Sequence, residues 1–311
     1  MYTIGSFFSR KHFLAVNDAN LAIGAGRPEI FTLAGESGSG KTTLARMILG
    51  MIDPSDGTLL YKGQDVTQIS RREKRRWFMR EVQPIFQNPF ETFNPLKKVD
   101  SYLYGTARHY GQTAAGETEE QRVESALQAI GLSLKEIRGR YPNELSGGQL
   151  QRTSIARALI THPSLLIADE PVSMVDASLR MSIVNLFKTL NETLGVSVIY
   201  VTHDLATAYY VSHRMAIMLR GVIVEMGPVE QVLGAPRHPY TQLLKQSVPE
   251  PDPQKTWAED ITLATFEVEE YARTGCKFAG RCPQAMDLCK TAAPGDVSVD
   301  GRAVKCYLYG K

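Results

Sequence analysis

The sequence predicts an α/β protein built on a mainly parallel sheet with helices on both faces. Three observations predict it. Short apolar runs, Ile30–Ala34, Leu165–Ala168 and Val196–Val201, alternate with helical stretches, as strands buried on both faces do. The first run leads into Gly35-Glu36-Ser37-Gly38-Ser39-Gly40-Lys41-Thr42, a full match to the phosphate-loop pattern G-x-x-x-x-G-K-[ST]. A second helix start, Ser146-Gly147-Gly148-Gln149, stands ahead of an apolar-periodic segment (Leu150, Ile155, Ala156, Leu159, Ile160).

Both starts suit an anion. Backbone N–H groups cradle phosphate oxygens only where no Cβ blocks the approach and the turn can use positive φ, which is what glycine supplies. In the first, Lys41 offers a point charge for terminal phosphates and Thr42, followed by Thr43, an oxygen for Mg²⁺. The helix that follows, Thr42–Leu49, adds the positive end of its dipole. In the second, Ser146 is a natural N-cap and two glycines again admit a phosphate. Two such starts in one chain imply two surfaces that clamp one nucleotide.

A chain of 311 residues holds one large α/β domain with an appendage, or two modest domains. Apolar content of 43% and charged content of 22% fit an ordinary globular protein. The formal charge of +2 gives no pull toward nucleic acid. No apolar run approaches the roughly 18 residues that span a bilayer. Met1–Lys11 lacks a signal-peptide core, so a cytosolic protein is expected, one that serves a membrane only through partner chains.

With Leu145 in front, the second helix start reads Leu-Ser-Gly-Gly-Gln. At this point the chain resembles the ATP-binding subunits of ABC transporters, whose signature this is. The resemblance implies a P-loop ABC cassette with a small antiparallel part and a helical subdomain over about 94–162. It also implies that the signature of one subunit closes on the ATP held by another's phosphate loop, so each site is shared across a dimer.

The elements then follow in order. Tyr2–Ile4 and Leu14–Val16 are expected as short strands around a loop with Phe7, Phe8 and Phe13. The resemblance places an aromatic ring on adenine here, Phe13 first and Phe8 second; plain packing is an equal account of either. Arg27-Pro28-Glu29 departs from the family's glycine-rich turn, which alters a surface turn only. Asp56–Gly63 reads as strand and turn, and the basic run Arg71–Arg80 as a solvated helix face. Val82–Pro89 resembles the glutamine loop, in which Gln87 offers its amide oxygen to Mg²⁺. Gln121–Ile130 carries Val123, Leu127 and Ile130 at helical spacing.

Leu165–Ala168 ends at Asp169 and Glu170, adjacent carboxylates that a strand points opposite ways. By resemblance Asp169 orders the Mg²⁺ shell and Glu170 is the general base for water. Ser173-Met174-Val175-Asp176 stands at the dimer-contact loop, more often Ser-Ala-Leu-Asp, with Asp176 retained. Ala177–Leu194 reads as a long amphipathic helix. Val196–Val201 leads to Thr202-His203-Asp204, where ligand groups gather at the edge of a parallel sheet; the resemblance gives His203 to the γ-phosphate. Met215–Leu219 and Val222–Glu225 flank Arg220-Gly221, a hairpin pattern. Core residues 1–233 form one ATPase domain without internal repeat.

Residues 234–311 form a tail. His238-Pro239-Tyr240-Thr241-Gln242-Leu243-Leu244 and the proline run Val248–Pro253 resemble the C-terminal extension of peptide-type importers, which also import nickel complexes and oligosaccharides. All the cysteines lie here: Cys276, Cys282, Cys289 and Cys306. In a cytosolic chain such crowding disfavours disulfides. Four thiolates suit zinc or a [4Fe–4S] cluster, and the C-x₅-C-x₆-C-x₁₆-C spacing lacks the close pair usual for zinc. Gly275-Cys276-Lys277-Phe278 and Arg281-Cys282-Pro283 resemble the cysteine motif of the peptide importers, which implies the cluster; free structural cysteines remain the alternative.

The expectation is an ATPase subunit at the cytoplasmic face of the cell membrane. It works with a second ATPase subunit, a paralogue in the family's peptide branch, and with two membrane permease subunits. An extracytoplasmic binding protein supplies cargo indirectly, and nucleic acid plays no part. The alternatives are a soluble ABC ATPase acting on nucleic acid or ribosomes, and a redox-sensing ATPase.

Overall fold

The computed structural model describes residues 2–4, 11–24, 26–110, 116–248 and 267–310. Among them the strands are β1 (Tyr2–Ile4), β2 (Lys11–Phe13), β3 (Ile30–Ala34), β4 (Leu60–Tyr61), β5 (Gln64–Asp65), β6 (Val82–Ile85), β7 (Leu165–Asp169), β8 (Ser197–Thr202), β9 (Arg214–Leu219), β10 (Val222–Pro228), β11 (Val297–Val299) and β12 (Arg302–Val304). The chain divides into two compact units: Met1–Ala22, Thr32–Leu44 and Thr202–Lys311 form the first, Ile23–Phe31 and Ala45–Val201 the second.

The second unit holds strands in the order β8–β7–β6. β6, β7 and β8 run parallel, with Val82 opposite Leu165 and Asp169 opposite Val201. Helix Ala177–Leu194 buries Ile183, Val184, Phe187 and Leu190, and Phe187 meets Tyr200 of β8 at a ring distance of 6.0 Å. Helices Val99–Tyr110, Glu119–Gln128, Leu134–Ile137 and Gly147–Leu159 pack on one another. Val123, Leu127 and Ile130 are buried, as their spacing requires. The helix begins two residues early, at Glu119, because Thr118 and Gln121 form a capping box there. In the basic run, Arg71, Arg72, Arg75 and Arg76 are exposed while Phe78 turns inward, so this is a solvated face.

In the first unit β1 and β2 pair antiparallel, with Tyr2 opposite Phe13. The second strand is therefore Lys11–Phe13 and not Leu14–Val16. Residues 14–17 are engaged elsewhere: the Asn17 N–H donates to the Gly221 carbonyl at 2.7 Å, which pulls them out of the ladder. β9 and β10 form the expected hairpin, with Arg220 (φ 44) and Gly221 (φ 86) both left-handed, as a type I′ turn requires. In this unit the strand order is β11–β12–β10–β9–β3. The tail thus supplies strands: β12 lies antiparallel to β10, with Glu225 opposite Val304. The proline run from Pro249 lies outside the described residues.

A buried ion pair locks that junction. Glu225 is fully buried, and its carboxylate accepts the N–H groups of Arg237 (3.0 Å) and His238 (2.9 Å) and a proton of Arg302 Nη1 (3.4 Å). Arg302 Nη1 also donates to the Ala235 carbonyl at 2.8 Å. Removing one partner strands the other's charge away from water, which costs about 3–5 kcal/mol. Arg302→Met is therefore expected to lower the urea-unfolding free energy by about that much. Adding Glu225→Gln, which removes the stranded charge, is expected to recover more than half of the loss.

Candidate functional site

β3 is buried along its whole length and stops at Ala34. The turn that follows has Gly35, Gly38 and Gly40 at φ 148, 78 and 101. A Cβ on Gly35 would stand 2.1 Å from the Met218 carbonyl oxygen, and one on Gly40 would stand 2.3 Å from that of Ala15. At these two positions the chain's own backbone already forbids a side chain. Lys41 opens helix Lys41–Ile48 and is 5% exposed. Its ammonium donates to the carbonyls of Gly35 and Glu36, both at 2.8 Å, and to Ser39 Oγ at 3.3 Å. Ser37, Gly38 and Thr42 are exposed, Thr43 half-buried and Ser39 buried. His203 is exposed just after β8, where Asp204 caps helix Leu205–Val211 by accepting from Ala206 N and Thr207 N. Phe8 lies outside the described residues, and of Phe13 only its place in β2 is described.

Tail residues surround this loop. The Glu36 N–H donates to the Tyr240 hydroxyl at 3.0 Å, and the Arg281 guanidinium grips the Glu36 carboxylate. The Tyr271 hydroxyl donates to the Gly38 carbonyl. Burial pushes the Tyr240 phenol up, so it stays neutral. No spacing rule in the sequence pointed to Tyr240, Tyr271 or Arg281, since more than 200 residues separate each from its partner in the loop.

In the second unit, Gln87 and Glu170 follow β6 and β7, adjacent parallel strands, and meet there. Gln87 Nε2 donates to Glu170 Oε2 at 3.2 Å. Glu170 has a left-handed backbone (φ 45), unusual for a residue with a side chain. Its N–H donates to the Val201 carbonyl at 2.9 Å, and its own carbonyl accepts from Ser173 Oγ at 2.9 Å. Asp169 is the last residue of β7, half-buried.

Ser146 caps helix Gly147–Leu159 as expected: Gln149 N donates to Ser146 Oγ at 3.2 Å, and Ser146 N donates to Gln149 Oε1 at 3.0 Å. Its two glycines differ. A Cβ on Gly148 would stand 2.8 Å from Leu179 Cδ1, so the end of that side chain would have to shift to admit it. On Gly147 the nearest atom is the Met174 carbonyl at 3.8 Å, an ordinary contact. Asp176 is exposed ahead of helix Ala177–Leu194 and makes no side-chain cap, while Met174 is 59% exposed beside it. Gln151, which the sequence did not single out, is fully buried with both amide atoms unpartnered.

Cys276, Cys282, Cys289 and Cys306 line one narrow cavity with His238 and Phe278. All four are free thiols. Burial pushes the thiols of Cys276 and Cys282 up, and that of Cys306 to about 11. Among the described residues no three His, Cys, Asp or Glu side chains are arranged to hold a single metal ion. His238 Nδ1 accepts the Tyr240 N–H at 3.0 Å, so the neutral ring carries its proton on Nε2. Among the described residues that Nε2 is buried without a partner.

The model of the family described as "ABC transporter" matches residues 16–173. That described as "Oligopeptide/dipeptide transporter, C-terminal region" matches 224–289. A probable peptide ABC transporter ATP-binding protein, y4tS of Sinorhizobium fredii, is 38% identical over 94% of this chain and 82% of its own. The oligopeptide transport ATP-binding protein AmiF of Streptococcus pneumoniae is 41% identical over 78% of each. Among solved structures, the dimeric post-hydrolysis state of the cassette MJ0796 bound to ADP and Pi superposes with a TM-score of 0.63. It is 28% identical and covers 73% of this chain and 95% of its own.

Burial alone lowers the His238 imidazole from 6.5 to about 4. The folded chain holds this ring neutral, so on acidification the unfolded chain takes the proton first. The associated stability is complete above pH 6.5 and is lost as pH falls toward about 4. The wild type is expected to lose roughly 3 kcal/mol from this group over that window. His238→Asn keeps a capping acceptor and should lack that loss when urea melts are compared across the window.

Proposed function

This chain belongs to the ABC transporter family, in the oligopeptide/dipeptide branch of its ATP-binding subunits, and on that premise we propose that it hydrolyses ATP to energise peptide import. The strongest support for hydrolysis is the Gln87–Glu170 hydrogen bond. It spends the Gln87 N–H on the carboxylate and leaves the amide oxygen for Mg²⁺. It also orients the Glu170 carboxylate, as a general base needs. The strained Glu170 backbone, pinned from both sides, keeps that carboxylate in one place.

The phosphate loop binds the triphosphate through its amides, and Lys41 exchanges loop carbonyls for phosphate oxygens. Thr42, Gln87 and Asp169 serve the Mg²⁺ shell, Glu170 draws a proton from the attacking water, and His203 steadies the γ-phosphate. Gly147 supports a shared site. Nothing in its own chain requires a glycine there, so its open amide suits a phosphate held by a second cassette, with Asp176 in the contact. Phe90 and Leu96, 51% and 84% exposed after the glutamine loop, suit a membrane subunit. Among the described residues no helix is long and apolar enough to cross a membrane, so those permease chains supply the path at the cytoplasmic face.

For the cysteines we favour the [4Fe–4S] cluster that the peptide-importer resemblance implies, with zinc as the alternative. In support, four thiols line one cavity together with His238, whose Nε2–H has no acceptor among the described residues. Cys276, Cys282, Cys289 and Cys306 would hold the irons, and His238 would donate to a cluster sulfide. When bound, the cluster supplies strong bonds that cross-link the tail, and its positive irons keep the thiols deprotonated despite burial.

Glu170→Gln is expected to bind MgATP, lower turnover by about 10²–10⁴-fold and accumulate a dimer on size exclusion. Wild-type turnover in that variant would remove the base assignment. Anaerobic purification should yield brown protein absorbing near roughly 400 nm, the thiolate-to-iron region. A colourless, zinc-loaded product would remove the cluster.

A further inference from the structure

We propose that Glu36 is the point at which the tail sets the phosphate loop, with Arg281 and Tyr271 as positioning residues for Lys41. The inference rests on the reading that this loop holds ATP.

Every polar group of Glu36 is engaged. Arg281 Nη1 donates to Oε1 and Nη2 to Oε2, both at 3.1 Å, a two-pronged grip that fixes the plane of the carboxylate. The Glu36 N–H is held by the buried Tyr240 hydroxyl. Its carbonyl accepts the Lys41 ammonium at 2.8 Å. Two tail residues therefore hold the residue against which Lys41 rests. Two residues further on, the Tyr271 hydroxyl holds the Gly38 carbonyl.

The grip is rigid at its origin. The Arg281 guanidinium lies 6.0 Å from the Tyr240 ring centre and 5.4 Å from that of Phe278, with 11% of its side chain exposed. Phe278 belongs to the same apolar cluster as Ala34, the last residue before the loop. A glycine-rich loop has much freedom to lose on binding a triphosphate, and a loop already held loses less. Charge acts in the same direction. A carboxylate one residue into a phosphate loop repels the ligand, and the paired guanidinium neutralises it. The pair is partly buried, with 11% of the Arg281 and 39% of the Glu36 side chain exposed, so breaking it is expected to lower stability as well, and affinity is compared among variants that fold.

The test uses full-length protein, titrated with MgATP and assayed for turnover, with Lys41→Ala as the control for binding at this loop. Arg281→Ala should raise Kd and KM for ATP about tenfold, with kcat at saturation within twofold. Arg281→Lys should recover part of that loss, since it restores charge without the fork. Tyr271→Phe, which removes one oxygen, should raise Kd about threefold and tests the clamp even if Arg281→Ala folds poorly. In a Glu36→Gln background Arg281→Ala should matter less, because the charge it neutralises is gone. Wild-type affinity in both Arg281→Lys and Tyr271→Phe, or an equal Arg281→Ala effect in both backgrounds, would overturn the proposal. Failure of the wild type itself to bind ATP would remove the nucleotide reading instead.

Discussion

The first unit depends on a steric constraint at the end of β3. Two backbone carbonyls, those of Met218 and Ala15, come so close to Gly35 and Gly40 that no other residue type fits at either position. The loop between them is thereby pressed against strand β9 on one side and the N-terminal segment on the other. This places the Lys41 ammonium under its own loop carbonyls, almost fully buried. Glycine is what lets backbone meet backbone here.

The second unit shows what a parallel sheet offers chemistry. Adjacent strands β6 and β7 end side by side, so residues far apart in sequence, Gln87 and Glu170, come within hydrogen-bond reach. Asp169 closes β7 while Glu170 has already turned left-handed (φ 45), so the neighbouring acids leave the backbone in different conformations. In the helix Gly147–Leu159, a Cβ on Gly148 would meet Leu179 Cδ1 at 2.8 Å, whereas one on Gly147 would make only an ordinary contact at 3.8 Å.

The tail is more than an appendage in physical terms. It adds β11 and β12 to the sheet edge at β10, and the buried Glu225–Arg302 pair holds the junction. It supplies Tyr240 and Phe278 to the apolar cluster and Tyr271 and Arg281 to the loop. The cysteine cavity lies in the same segment, with Cys276 and Cys282 on either side of Phe278 and Arg281.

Local rules sufficed for much of this chain. The phosphate loop, the Ser146 cap, helix Ala177–Leu194 and the Arg220-Gly221 hairpin were legible because each follows from spacing within a few residues. The second N-terminal strand was misplaced by three residues because distant contacts of Asn17, and not the propensity of Leu14–Val16, decided where pairing ended. Only the tertiary structure joined Glu36 to Arg281, Gln87 to Glu170 and four cysteines to one cavity. Sequence periodicity carries information over a turn of helix or a pair of strand residues, whereas these contacts are chosen by how whole elements pack.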